Sequence, residues 1–111
     1  MRRSLEVEFN NGFVTALALF YAHAYQLREA RFKGRWALAL HAATDHLLEM
    51  EIPSSLPPKL RERVERFREE ALAHRYEADD ETALRLFEEC LEILKRIDEE
   101  VFGLKVVVKH P

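Results

Sequence analysis

Between Asp80 and Val101 six apolar residues, Ala83, Phe87, Cys90, Leu94, Ile97 and Val101, recur with gaps of four and three that alternate without a break. An α-helix turns once every 3.6 residues, and this spacing keeps all six on one face. A chain built on such stripes has to bury them against other helices, which makes a helical bundle its natural fold.

The same rhythm occurs three more times. Phe13, Leu17, Phe20, Ala24 and Leu27 predict a first helix over about 13–33, closed by Gly34, with Lys33 beside the negative end of the helix dipole. Trp36, Leu40, Ala43, Leu47 and Met50 predict a second over 35–51, its stripe widened by Ala37, Thr44 and Leu48. Leu60, Val64, Phe67 and Ala71 predict a third over 58–76. Pro53 and Pro57 punctuate the loop before it, and a proline at the first helical position is tolerated because no N–H is needed there. The fourth, over 80–102, has Asp79 and Asp80 as carboxylate caps and Gly103 as its stop.

Three glycines and four prolines in 111 residues, with 33% charged residues, suit long helices with charged surfaces. The expectation is all-α: one domain over 1–111, an antiparallel four-helix up-down bundle. The alternation in Leu5-Glu6-Val7-Glu8-Phe9 and the β-branched run over 104–108 add short strands at 5–9 and 104–108. A lone two-stranded ribbon is marginal in water, so such strands would pack on the bundle or on a second copy of the chain.

Charge and cysteine content narrow the function classes. The net charge of −3 comes from 17 basic and 20 acidic residues mixed along the chain, which leaves no broad basic field for nucleic acid. Any RNA contact would be local. Cys90 is the only cysteine, so an intramolecular disulfide is excluded, a reducing compartment fits, and its place on the stripe predicts a core residue. The longest apolar segment, Phe13 to Ala24, is too short to span a bilayer. Glu6, Glu8, Asn10 and Asn11 interrupt what Arg2 and Arg3 would begin as a signal peptide. The expected location is cytoplasmic, without a membrane partner.

Familiar catalytic motifs are missing: there is no glycine-rich phosphate loop, Gly-x-Ser-x-Gly elbow or Cys-x-x-Cys, and no Glu-x-x-His pair of the di-iron kind. His41 and Asp45 are helical neighbours, and with His46 and His23 they outline a mixed metal set. The spacing of multi-ligand zinc sites is lacking, however, so boundary histidines are the simpler expectation, with no metal and no cofactor assigned. Arg61, Arg63, Arg66, Arg68 and Arg75 interleave with Glu62, Glu65, Glu69 and Glu70, as on a solvated face of ion pairs. Phe13, Phe20 and Trp36 read as core, whereas Tyr21 and Tyr25 lie off the stripe and suit a subunit contact.

Residues 68 to 76 read Arg-Glu-Glu-Ala-Leu-Ala-His-Arg-Tyr and precede two aspartates and a long amphipathic helix. With two helical hairpins around it, this segment resembles the HEPN superfamily, whose mark is an Arg, four to six residues, then a His near the end of the third helix. In its toxin-like branch a Tyr follows two positions after the His. Arg68, His74 and Tyr76 fit that mark, and the resemblance covers roughly residues 35 to 102.

The resemblance implies a metal-independent ribonuclease of the toxin–antitoxin kind, or a partner of a small nucleotidyltransferase, often as a homodimer with Arg and His of both chains lining a cleft. His74 would then be the base for a ribose 2′-hydroxyl, Arg68 the phosphate clamp and Tyr76 the residue on which a partner enzyme acts. Glu69 stands where that branch commonly has Asn. Six helical steps turn about 600°, so Arg68 and His74 diverge by about 120° unless the helix breaks or two chains share the site. The alternative is a non-catalytic helical interaction or dimerisation module, with His74 in the core or at an interface.

Overall fold

A computed structural model of the chain describes residues 12–29 and 36–101. Four α-helices follow one another: α1 (Val14–Glu29), α2 (Trp36–Thr44), α3 (Pro58–Ala73) and α4 (Asp80–Glu100). The described residues form an all-α bundle and include no strand. The strands expected at 5–9 and 104–108, the end of the first helix near Phe32 and the stops at Gly34 and Gly103 lie outside the described residues.

Gly12, just before α1, has φ of +115°, a backbone conformation that residues with a Cβ rarely adopt, so the helix is entered through a glycine. α3 begins as its prolines dictate. Pro57 is the cap residue and Pro58 the first helical residue, while the Pro57 carbonyl accepts the Arg61 N–H at 2.9 Å.

The two aspartates before the last helix divide their work. Asp79 caps α4 itself, its carboxylate accepting the Thr82 N–H at 2.7 Å. Asp80 reaches across the bundle, where it accepts the Ala37 N–H at 3.0 Å and satisfies the first turn of α2. The N-termini of α2 and α4 therefore meet at one end, as the up-down arrangement requires.

Core positions follow the stripes. Phe13, Leu17, Phe20 and Ala24 of the first segment, Leu40, Ala43, Leu47 and Met50 of the second, and Leu60, Val64, Phe67 and Ala71 of the third are all buried. A chain of aromatic contacts ties the four helices together. The Phe20 ring of α1 lies 5.2 Å from Phe67 of α3 and 5.0 Å from Phe87 of α4, and Phe87 in turn lies 6.1 Å from Trp36 of α2. Such ring pairs add about 0.5–1.5 kcal/mol each beyond the apolar area they bury. Trp36 itself is only partly buried, at the rim of the core. Across the polar side of α3, Arg63 grips Glu89 of α4 through two nitrogens at 2.9 and 2.7 Å.

Three expectations need correction. On α4 the buried face is wider than one stripe, because Leu86 and Ile93 are buried while Leu94 and Val101 are only partly so. α4 packs against α1, α2 and α3, and a helix with three neighbours buries more than a narrow seam. Second, α2 stops at Thr44 rather than running to residue 51, and Asp45–Leu47 tighten into a 3₁₀ turn. Thr44, Leu47 and Met50 are all buried at a spacing of three, which a 3₁₀ turn satisfies as well as an α-helix does. The buried Thr44 hydroxyl donates to the His41 carbonyl at 2.8 Å. Third, α3 ends at Ala73, so His74, Arg75 and Tyr76 stand in the turn that follows.

Candidate functional site

The turn between α3 and α4 is folded back onto α2. His74 closes α3, its N–H donating to the Glu70 carbonyl at 3.1 Å, and the Arg75 N–H donates to Leu72 at 3.2 Å. The His74 ring uses Nδ1 on the Glu77 carbonyl at 3.3 Å, which requires a proton on that nitrogen. Asp79 then starts α4. Its carboxyl is held below the usual carboxylate range, first by the Thr82 side chain and then by the Thr82 N–H.

Arg75 is the hinge of this arrangement. Its guanidinium pairs through Nη2 with Asp45 beyond the end of α2, and its carbonyl accepts from His41 Nδ1 at 3.2 Å. His41 and Asp45, four residues apart, thus hold one arginine at its backbone and at its side chain. The Arg75 side chain is 16% exposed, and its Nε is buried without a hydrogen-bond partner among the described residues. A carbonyl has no hydrogen to give, so His41 carries a proton on Nδ1.

Tyr76 stands on this platform. Its ring centroid is 5.2 Å from that of His41, and the Arg75 guanidinium carbon is 5.4 Å from the Tyr76 centroid, within cation–π range. Even so, Tyr76 is 79% exposed, and Leu38 nearby on α2 is 64% exposed. Between them opens a shallow cavity of about 360 Å³ lined by Ala37, Leu38, His41, Arg75, Tyr76 and Ala78.

Of the three residues the HEPN resemblance marks, only Tyr76 lines this cleft. Arg68 points the other way along α3, donating Nη1 to the Met50 carbonyl at 2.8 Å and Nη2 to the Leu48 carbonyl at 2.9 Å. These carbonyls belong to the segment where α2 has given way to tighter turns, and Arg68 satisfies them. Arg68 and His74 therefore engage separate partners within the chain. Arg61 with Glu65 and Arg66 with Glu62 form the expected ion pairs along α3. Leu38, His41 and Arg75 make up most of the cleft's chemistry: His41 was expected as a boundary histidine and Arg75 on a solvated face, which its 16% exposure contradicts, while Leu38 is a large apolar residue off the stripe of its helix.

The four-residue metal set divides in two. His41 and Asp45 go to Arg75, while His23 of α1 and His46 of the 3₁₀ turn bring their Nε2 atoms to 3.2 Å. Burial, and next the neighbouring His46, push the His23 pKa below its ordinary value, with Asp45 pulling weakly the other way. Among the described residues no three His, Cys, Asp or Glu side chains gather as a metal-binding group. Cys90 is buried, donates its thiol to the Leu17 carbonyl at 3.2 Å, and has its pKa pushed far up by desolvation. Tyr21 packs against the edge of the core. No described helix is long and apolar enough to cross a membrane.

Comparison of the chain with models of known protein families, with curated proteins and with solved structures finds no match.

Proposed function

We propose that this chain is a HEPN-like helical module that meets a small nucleotidyltransferase by binding the nucleotide such an enzyme carries, with Tyr76 as the contact. The observation behind this reading is the setting of Tyr76, a ring left 79% exposed yet held in place by His41 and Arg75. Tyrosine presented in this way supplies contact area at little entropic cost. A nucleobase stacked on such a ring gains about 1–3 kcal/mol, and Leu38 gives the base edge an apolar wall. Arg75 supplies positive charge beneath the ring, and the phenolic hydroxyl stands where a partner enzyme can reach it.

A second reading, the toxin-type ribonuclease with Arg68, His74 and Tyr76, draws on one observation. His74 closes α3 and is only partly buried rather than part of the core, although the unbroken helix from Arg68 keeps the two side chains on different faces. Since each engages other partners within one chain, that reading calls on a homodimer to combine them.

The test is titration of the full chain with nucleoside triphosphates, followed by NMR at the Leu38 methyls and the Tyr76 ring. Shifts confined to the cleft and abolished by Tyr76→Ala are expected. Shifts that survive Tyr76→Ala, or none at all, would sink the binding module. Growth arrest on expression of the chain alone, relieved by His74→Ala, would replace it with the ribonuclease.

A further inference from the structure

His23 and His46 are 23 residues apart in sequence, yet their Nε2 atoms meet at 3.2 Å across the junction of α1 with the 3₁₀ turn. Their rings are tilted by 39° with centroids 5.3 Å apart, so the two nitrogens converge on one point without the rings stacking. Packing on either side fixes the separation. Ala24 and Phe20 beside His23, and Leu47 and Thr44 beside His46, are all buried, so neither backbone can drift relative to the other. Both residues are only partly buried.

We propose that His23 and His46 form a binding site for a divalent late-transition-metal ion of the zinc class. The distance selects the chemistry. Two Zn–N bonds of about 2.0–2.1 Å at a tetrahedral angle place the nitrogens about 3.3 Å apart, close to the separation found here. A linear two-coordinate ion with similar bonds would need about 4 Å, and hard ions such as Mg²⁺ and Ca²⁺ take oxygen ligands instead.

Without metal the close approach is a hydrogen bond, with one Nε2 carrying the proton and the other accepting it. Binding turns both lone pairs toward the ion. The proton on the donor ring moves to its own Nδ1 through solvent, so both rings end with a protonated Nδ1 and no net proton is released. With two protein ligands, one fewer than the three usual at catalytic zinc sites, two water molecules would complete a tetrahedral shell. The ion would staple α1 to the segment after α2, on a different set of residues from the Tyr76 cleft.

The experiment is calorimetric titration of the full chain with Zn²⁺, and with Mg²⁺ as control, alongside thermal unfolding with and without Zn²⁺. One Zn²⁺ per chain is expected, with a Zn²⁺-dependent rise in Tm because a ligand of the folded state stabilises it by mass action. His23→Gln and His46→Gln should each weaken binding by upwards of about tenfold and erase the rise in Tm. His41→Gln and Tyr76→Ala should leave both intact. Circular dichroism identifies any variant that has failed to fold, and for such a variant Co²⁺ bound to the unaltered chain provides the readout, through the intense visible absorption of tetrahedral coordination. No Zn²⁺ binding, binding indifferent to His23→Gln, or a Co²⁺ spectrum of octahedral type would each overturn the proposal.

Discussion

Arg68 donates Nη1 to the carbonyl of Met50 at 2.8 Å, and its second terminal nitrogen takes the Leu48 carbonyl. The guanidinium spans two acceptors that the helix before them has left open, a task suited to its planar fork. Arg68→Ala should therefore cost about 1–3 kcal/mol of stability, as expected for losing hydrogen bonds from a charged donor, and Arg68→Lys should recover only part of it. Urea unfolding midpoints measure this. An unchanged midpoint in Arg68→Ala would show that the fork is dispensable to the fold.

Much of the bundle is legible in the sequence because burial on a helix leaves a periodic trace. Phe20, Leu40, Val64 and Phe87 sit in the core where the four-three spacing puts them. The trace is blind to two things. Thr44, Leu47 and Met50 fit a spacing of three in either helix type, so the change of helix after Thr44 leaves no mark. Leu86 and Ile93 are buried because α4 has neighbours on several sides, and that depends on assembly rather than on α4 alone. The cleft was harder still. Tyr76 stood out through its spacing from Arg68 and His74, but its contacts with His41 and Arg75 arise only when the turn folds back on α2.

Cys90 is buried, with its thiol held on the Leu17 carbonyl and its pKa raised by desolvation. Thiolate is the reactive form, so the native protein should resist thiol reagents such as Ellman's reagent at neutral pH. Labelling should become rapid only in denaturant, with a midpoint matching global unfolding. Rapid labelling of the native chain would mean that α1 and α4 separate locally.

Asp79 gives the acid limb of stability a defined sign. Its pKa is lowered in the folded state by the Thr82 side chain and N–H, with His74 adding a smaller pull. The unfolded chain thus binds the proton more readily. The contribution is fully present above the unfolded value of about 3.9 and is lost as pH falls through the lower folded value. Asp79→Asn keeps a capping side chain but cannot titrate, so its stability should fall less steeply with acid below about pH 4. Thermal unfolding across that range checks it, and parallel acid limbs for the two proteins would assign the slope to other carboxylates.

Asp80 stands one residue further on yet serves a different helix, because its carboxylate accepts the Ala37 N–H at 3.0 Å. Ala37 and Leu38 belong to the first turn of α2 and line the cleft beside Tyr76. One carboxylate therefore fixes a wall of the cleft from the start of α4. Asp80→Ala should cost about 1 kcal/mol, the usual loss for removing a capping side chain. The effect should also be local: amide exchange at Ala37 should quicken, while the start of α4, still capped by Asp79, keeps its protection. If the wall matters to binding, nucleotide shifts at Leu38 should weaken in Asp80→Ala and largely return in Asp80→Asn, whose amide oxygen can accept the same bond. Equal quickening at Ala37 and Thr82 would instead mean that the two N-termini open as one unit.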